Sequence, residues 1–147
     1  MEVTIVPMRT EHTAQIAALE AACFSDPWPE SILQQELENP LSLWLCAMDG
    51  DTIAGYVGSQ TVLGEADMMN LAVSPAYRRQ GVAAALISAL MTRAEKLNLA
   101  FVTLEVRAGN EPAKALYAKH GFVPVGRRKN YYDLPKEDAI LMTRFWK

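Results

Sequence analysis

Two polar side chains that can act as a base and an acid lie near each other in the second half of the chain. Glu105 interrupts the largely apolar run Phe101–Arg107, and Tyr117 follows shortly after it. A carboxylate in such a run is costly to bury unless it is paired or lines a wet cleft. A carboxylate can take a proton from an amine, and a phenol can protonate a departing thiolate. The pair therefore suits a reaction in which one proton is removed and another is supplied.

Both residues also have a purely structural interpretation. Strand alternation places Thr103, Glu105 and Arg107 on one face, where Glu105 and Arg107 can form an ion pair. Asn110 and Tyr117 lie two turns apart on one helix and share a face, and a lone aromatic residue on a helix commonly only packs. The residues alone leave the catalytic and the structural interpretations open.

A glycine-containing turn between a strand and a helix is the second feature that can do chemistry. The segment Met69–Leu90 is predicted to be strand, turn and helix, with Tyr77–Gly81 as the turn. The free backbone N–H groups at a helix start and the helix dipole favour a phosphate there. The turn is not a Walker loop, and the chain has no G-x-G-x-x-G. The remaining pattern, Arg78-x-x-Gly81-x-Ala83, also fits an ordinary turn with solvated arginines.

The elements that position these residues follow from hydrophobic periodicity and turn signals. In the first half we expect a helix capped by Thr10 that runs to about Cys23, with Ile16, Leu19 and Ala22 buried. A second helix has Pro29 in its first turn and runs to about Glu38. The predicted strands of this half are Val3–Met8, Leu43–Met48, Thr52–Val62 and Asp67–Val73.

In the second half, apolar spacing predicts a long helix from Val82 to about Leu97, followed by the strand Phe101–Arg107. This order favours a parallel crossover. A helix capped by Asn110 then ends at Gly121, and a long polar loop joins two closing antiparallel strands, Phe122–Gly126 and Asp138–Thr143. The whole predicts a single domain over residues 1–147. Its class is α/β (mixed α+β), with a mixed sheet of about seven strands and four helices in the order β-α-α-β-β-β-α-β-α-β-β.

Composition excludes several classes of protein. The 147 residues are 50% hydrophobic and 21% charged, with a net charge of −3, which argues against disorder and against nonspecific nucleic-acid binding. We expect no signal peptide and no membrane span. The two cysteines, Cys23 and Cys46, are expected to be reduced core residues of a cytoplasmic protein, and no metal is expected, because His12 and His120 form no ligand cluster with them.

The segment from Asn70 to Ala83 resembles the coenzyme-A signature of the GNAT acetyltransferase superfamily, Q/R-x-x-G-x-G/A, which Arg78, Gly81 and Ala83 meet. The resemblance implies acetyl-CoA as co-substrate and Glu105 as proton acceptor, with Tyr117 as proton donor. It implies that Asn110 touches the cofactor. It also implies that the strand edge Leu71, Ala72 and Val73 pairs with the pantetheine. The pyrophosphate would be held by the N–H groups of Arg79, Gln80, Gly81, Val82, Ala83 and Ala84.

Further strings resemble the branch of that family that acetylates the N-terminal alanine of the small-subunit ribosomal protein bS18. They are Leu104–Arg107 with Asn110, Ala115–Tyr117, Gly121–Phe122, Arg128–Tyr132 and Glu137–Met142. This implies a protein N-terminus as partner, no direct contact with nucleic acid or membrane, and a monomer. Tyr131 and Tyr132 would border the peptide cleft, and Arg127–Lys129 would be a solvated loop. An enzyme for small amines and a non-catalytic CoA-binding module are the competing hypotheses.

Overall fold

Seven strands and four helices make up residues 2–147, the part of the chain that this computed structural model describes. The strands are β1 (Thr4–Pro7), β2 (Ser42–Asp49), β3 (Thr52–Val62), β4 (Glu65–Val73), β5 (Phe101–Arg107), β6 (Val123–Asp133) and β7 (Lys136–Phe145). The helices are α1 (Thr13–Cys23), α2 (Glu30–Glu38), α3 (Val82–Lys96) and α4 (Glu111–Lys119). This order confirms the predicted fold class.

All seven strands join one sheet in the order β1-β2-β3-β4-β5-β7-β6. Neighbouring strands are antiparallel except β4 and β5, which are parallel because α3 carries the chain back across the sheet between them. The crossover predicted from the sequence is therefore confirmed. It puts the two strands that carry the candidate site residues side by side in the middle of the sheet.

The sheet is covered on both faces, and the alternation of β2 shows how the core divides. Leu45 and Ala47 point into a cluster with α3 and α4, whereas Trp44 and Cys46 point into a cluster with α1 and α2. We call these two sides of the sheet the α3 face and the α1 face. The longest helix, α3, packs its apolar stripe on the α3 face, and no helix among residues 2–147 is long and apolar enough to cross a membrane.

The first helix differs from its prediction at both ends. Thr10 does not cap it; residues Thr10–His12 form a 3₁₀ turn, and α1 begins at Thr13, whose hydroxyl donates to the Thr10 carbonyl at 2.9 Å. Ala22 is exposed rather than buried. The helix turns Ile16 and Glu20 into the protein, so the buried stripe includes a carboxylate that an apolar pattern does not reveal.

The long polar loop predicted near the C-terminus is wrong. Strand β6 continues through Arg127–Lys129 to Asp133, and β7 begins at Lys136. As an edge strand, β6 exposes nearly all its residues, so its sequence needs no apolar alternation. Asp138 on β7 supports the polar segment, because its carboxylate pairs with Arg127 at 3.2 Å and accepts the Asn130 N–H at 2.8 Å.

A glycine lets β2 and β3 approach each other where they carry the largest aromatic side chain of the core. Gly58 pairs with Trp44, and a Cβ placed on Gly58 would lie 2.6 Å from the indole ring. We therefore expect Gly58→Ala to lower the free energy of unfolding by about 1–3 kcal/mol in urea titrations, through overpacking. The control is Gly126→Ala, whose added methyl lies 3.7 Å from Leu141 and is expected to change stability by less than about 0.5 kcal/mol. Equal effects of the two substitutions would contradict this packing argument.

Candidate active site

The parallel strands β4 and β5 pair only at their first residues and then separate. Three pairs join them, the last being Asp67 with Thr103, and β4 then continues to Val73 without a partner on that side among the described residues. The separation coincides with a β-bulge, because Gly58 pairs with Asn70 and Ser59 with Met68, which leaves Met69 as an extra residue. Bulges bend a strand and increase its twist. The result is a gap between β4 and β5 that is lined by unpaired backbone.

The bulge also changes which residues of β4 face which side of the sheet. Before it, Met68 packs on the α3 face; after it, Leu71 and Val73 pack there, and Ala72 joins the α1 face. Asn70, two residues before Ala72, shares that α1 face. The predicted cofactor-binding segment Leu71–Val73 therefore lies on the unpaired edge, where a ligand with amide groups can add to the strand.

The turn before α3 has the geometry of an anion site. Arg79 and Gly81 have left-handed backbones, with φ of 63° and 81°, and no side chain caps the helix. The first hydrogen bond of this helix runs from the Ala85 N–H to the Gly81 carbonyl. The backbone N–H groups of the preceding residues in the first turn therefore have no acceptor within the helix. That turn carries no acidic residue, and a Cβ placed on Gly81 would have no neighbouring atom within 4 Å.

Two predicted site residues use their side chains within this turn. The Arg78 guanidinium donates to the Val73 carbonyl at 3.4 Å, and the Gln80 amide donates to the Ala76 carbonyl at 3.4 Å. Arg78 thus links the start of α3 to the end of β4. Both side chains are exposed and keep further N–H donors, so they lie beside the free backbone N–H groups of the turn.

Glu105 lies on the α1 face of β5, opposite the buried Val102, Leu104 and Val106. The ion pair with Arg107 that the sequence left open is not formed among the described residues. Arg107 pairs instead with Glu137 at 3.3 Å and donates to the carbonyl of Pro135 at 2.8 Å. The carboxylate of Glu105 is therefore left without a cation within 4 Å among residues 2–147.

Glu105 contributes to the raised pKa values of three ionisable groups. Interaction of the Tyr131 hydroxyl with the carboxylate, followed by burial, raises the pKa of Tyr131. Burial and then the charge of Glu105 raise the pKa of Tyr132 to about 12, and the same two causes raise the pKa of Asp67. Arg107, on the same face of β5 as Glu105, also stacks over the Tyr132 ring at 4.3 Å. The prediction that both tyrosines border the cleft thus has support from their electrostatic proximity to Glu105.

Tyr117 reaches this region from the opposite face. Its ring is buried on the α3 face against Phe122, with the ring centres 5.9 Å apart. Burial raises the pKa of Tyr117 to about 12, and Tyr132 adds to the shift. No hydrogen bond joins Tyr117 to Glu105 in the described chain. The two residues lie on opposite faces of the sheet, and Tyr132 is electrostatically close to both.

Asn110 has a structural role in the present geometry. Its side-chain oxygen accepts the Ala113 N–H at 3.2 Å and so caps α4, the helix that carries Tyr117. The predicted cap is confirmed, whereas the contact with a cofactor stays a prediction.

A buried polar network on the α1 face is not predicted from the sequence. The carboxylate of Glu20 is fully buried and accepts hydrogen bonds from the Trp28 N–H, the Tyr56 hydroxyl and the Asn70 amide. A signal was present, because Glu20 lies four residues after the buried Ile16 on one helix face. A carboxylate at such a position is normally solvated, so the pattern alone does not favour burial.

Replacing Glu105 by Gln tests the electrostatic arrangement without any assay of activity. Removing the negative charge makes the phenolates easier to form, so we expect the pKa values of Tyr131 and Tyr132 to fall toward 10. Carbon-13 NMR of labelled tyrosines during a pH titration measures each of them. Glu65→Gln, at the paired end of β4, is the control and should move neither. Unchanged pKa values of both tyrosines in Glu105→Gln would place Glu105 elsewhere.

Comparison with known proteins agrees with this geometry. The acetyltransferase (GNAT) family matches residues 13–122. A putative ribosomal protein bS18-alanine N-acetyltransferase of Bacillus subtilis is 36% identical over 136 residues, which cover 92% of this chain and 90% of that protein. The ribosomal protein bS18-alanine N-acetyltransferase of Escherichia coli K12 is 36% identical over 142 residues, 95% of both chains.

Solved structures share the fold. The crystal structure of the ribosomal-protein-S18-alanine N-acetyltransferase from Escherichia coli superposes with a TM-score of 0.90 at 34% identity, covering 97% of this chain and 93% of that one. The Arabidopsis thaliana NAA60 structure in complex with acetyl-CoA has a TM-score of 0.89 at 20% identity, over 98% of each chain, and shows the fold alone. With its separated parallel strands and its matching sequence, the chain belongs to the GNAT acetyltransferase family.

Proposed function

We propose that this protein transfers the acetyl group of acetyl-CoA to the α-amino group at a protein N-terminus, with the N-terminal alanine of ribosomal protein bS18 as its substrate. The observation that carries this proposal is the gap between β4 and β5, which has a free anion site at one end and Glu105 and Tyr117 on its two faces. The substrate assignment is supported by the relatives named for that activity, which match nearly the whole chain. Residues 1–147 would act as one catalytic domain, as a monomer, in the cytoplasm where ribosomal proteins are made.

The chain fits the two polar parts of acetyl-CoA. The free N–H groups of the turn and of the first turn of α3, from Arg79 to Ala84, suit the pyrophosphate, since they combine uncompensated donors with the positive end of the helix dipole. The unpaired edge Leu71–Val73 suits the amides of the pantetheine, which can add to it as a further strand. We further propose that Asn110 approaches the same ligand from the start of α4.

Acyl transfer to an amine needs one proton removed and one supplied. The attacking amine must be neutral, and α-amino groups have a pKa of about 7.7–8.0, so a nearby carboxylate suffices as base. Glu105, which has no cationic partner within 4 Å among residues 2–147, is assigned this role, acting directly or through water. The thiolate that leaves needs a proton. Tyr117 is assigned as its donor, since a phenol carries its proton at neutral pH and burial raises the pKa of Tyr117 to about 12.

A protein N-terminus, rather than a small free amine, suits the surroundings of Glu105. The β6–β7 turn is fixed over this side of the sheet, because Arg107 donates to the carbonyls of Leu134 and Pro135. Ser25, from the segment between α1 and α2, donates to the same Leu134 carbonyl at 2.8 Å. The two segments thereby meet on the side of the sheet that carries Glu105, and we assign them as the walls beside which an extended peptide would lie.

Substitution of the two assigned residues tests the mechanism. We expect Glu105→Gln and Tyr117→Phe each to lower kcat by about 10²–10⁴-fold, because each removes one proton transfer, while acetyl-CoA still binds. Steady-state kinetics with a peptide beginning Ala-Arg, together with calorimetric binding of acetyl-CoA, measures both effects. Glu65→Gln serves as the matched control and should keep the wild-type rate. Normal turnover by Glu105→Gln would exclude it as the base.

A second experiment tests the substrate class. Mass spectrometry after incubation with acetyl-CoA and bS18 is expected to locate the label on the N-terminal alanine. Rapid turnover of free polyamines with none of the peptide would instead identify a small-amine acetyltransferase. Label on lysine side chains alone would exclude N-terminal specificity.

A new carboxylate at the start of α3 should change stability and binding in opposite directions. Ala84→Asp places a negative charge in the first turn, which should stabilise the helix by about 0.3–1 kcal/mol. It also repels a pyrophosphate, so we expect the affinity for acetyl-CoA to fall by at least about tenfold. Thr92→Asp adds the same charge at an exposed position later in α3 and should leave the affinity unchanged. Wild-type affinity in Ala84→Asp would exclude this turn as the pyrophosphate site.

A further inference from the structure

Glu20 on α1 is a fully buried carboxylate that the proposed proton transfers do not use. No Lys, Arg or His lies within 4 Å of it among residues 2–147. Its Oε1 accepts the Trp28 N–H at 2.9 Å, and its Oε2 accepts the Asn70 side-chain amide at 2.9 Å and the Tyr56 hydroxyl. A buried carboxylate is costly unless hydrogen bonds compensate for lost hydration, and here three donors do so.

These three donors come from three separate parts of the structure. Trp28 belongs to the segment between α1 and α2, Tyr56 to β3, and Asn70 to β4 immediately after the bulge. Burial and the Glu20 carboxylate raise the pKa of Tyr56 far above its usual value, so its hydroxyl remains a donor. Asn70 is the member of this network that lies beside the gap.

Asn70 and Glu105 stand on the two sides of the gap. Beyond the last pair, Asp67 with Thr103, β4 reaches Asn70 just after its bulge and β5 reaches Glu105. Both side chains face the α1 side of the sheet, and both are half-buried. The two side chains therefore face the same side of the sheet from the two strands that border the gap.

The contact with Glu20 fixes the orientation of the Asn70 amide. The NH₂ group of Asn70 donates to Glu20 Oε2 at 2.9 Å, so this group faces Glu20. The carbonyl oxygen Oδ1 is then the polar atom left over, and no other described residue donates to it. Glu20 thus leaves Asn70 with an acceptor oxygen that no described residue uses.

We propose that Asn70 Oδ1 accepts a hydrogen bond from the substrate's α-amino group, and that Glu20 is the positioning residue that holds Asn70 in this orientation. This inference rests on the proposed function and deepens it. Asn70 holds the amine while Glu105 takes its proton. The energetic consequence is confined to the amine substrate, since neither Glu20 nor Asn70 belongs to the turn assigned to the pyrophosphate.

Kinetics of Asn70→Ala and Glu20→Gln test the proposal. In Glu20→Gln an amide NH₂ faces Asn70, which favours the flipped Asn70 amide and directs a donor toward the cleft. We expect both variants to raise the KM for the peptide at least about tenfold, the effect of one lost hydrogen bond to a charged group, with the KM for acetyl-CoA within about twofold. Glu36→Gln is the matched control. Glu36 is also a buried carboxylate, bonded to Ser42, Trp44 and Gln60 away from the gap, and its substitution should leave the peptide KM unchanged.

A double substitution separates orientation from packing. In Glu20→Gln with Asn70→Asp, the new amide donates to the new carboxylate, whose second oxygen again faces the cleft as an acceptor. We expect the peptide KM to return to within about threefold of the wild-type value. If Glu20→Gln does not fold, Asn70→Ala still decides the matter, because Asn70 is half-exposed. A wild-type peptide KM in Asn70→Ala, or equal rises in both KM values, would overturn the proposal.

Nitrogen-15 NMR gives a readout that does not need turnover. With CoA present, titration with alaninamide is expected to shift the Asn70 side-chain amide signal in the wild type and not in Glu20→Gln. A shift in a protein that acetylates no peptide would keep the Asn70 inference and overturn the proposed function. Acetylation of peptides without such a shift would support the proposed function and overturn the Asn70 inference.

Discussion

The structure depends on the point at which β4 and β5 stop pairing. Parallel strands in the middle of a sheet normally bond along their length, and buried backbone groups without partners are costly. Here one extra residue, Met69, bends β4 away after only three pairs. The backbone groups that this leaves free are confined to a cleft, where a ligand with its own amides can satisfy them. The helix that follows β4 begins beside the same cleft, so the bulge also determines where the anion site lies.

Under the proposed function, the gap lets two groups on opposite faces of the sheet serve one reaction. Glu105 faces the α1 side, and Tyr117 is buried on the α3 side, where burial raises the pKa of its phenol. A continuous sheet would separate them. Under the proposed function, the opening between the strands would bring the thioester within reach of both residues and give the assigned proton acceptor and proton donor different environments. The polar cleft suits a carboxylate, and the apolar core suits a neutral phenol.

The sequence predicts well those features that depend on local pattern. The bounds of β3 and β5, the cap at Asn110 and the outward direction of Glu105 follow from periodicity and capping, because burial and hydrogen bonding act there within one element. The network around Glu20 was not predictable, since its donors come from three elements that only the fold brings together. Asn70 was missed as a partner of Glu20 because the bulge shifts the strand period by one residue. The polar β6 was taken for a loop because an edge strand lacks apolar alternation.

Backbone amide hydrogen exchange, measured residue by residue by NMR, tests the separation of the strands most directly. Without ligand, the amides of residues 69–73 that point toward β5 should exchange much faster than those of residues 65–67 that are bonded to it. Saturating acetyl-CoA should slow the first group and leave the second unchanged. Equal protection of both groups in the free protein, or no response to acetyl-CoA, would contradict the account.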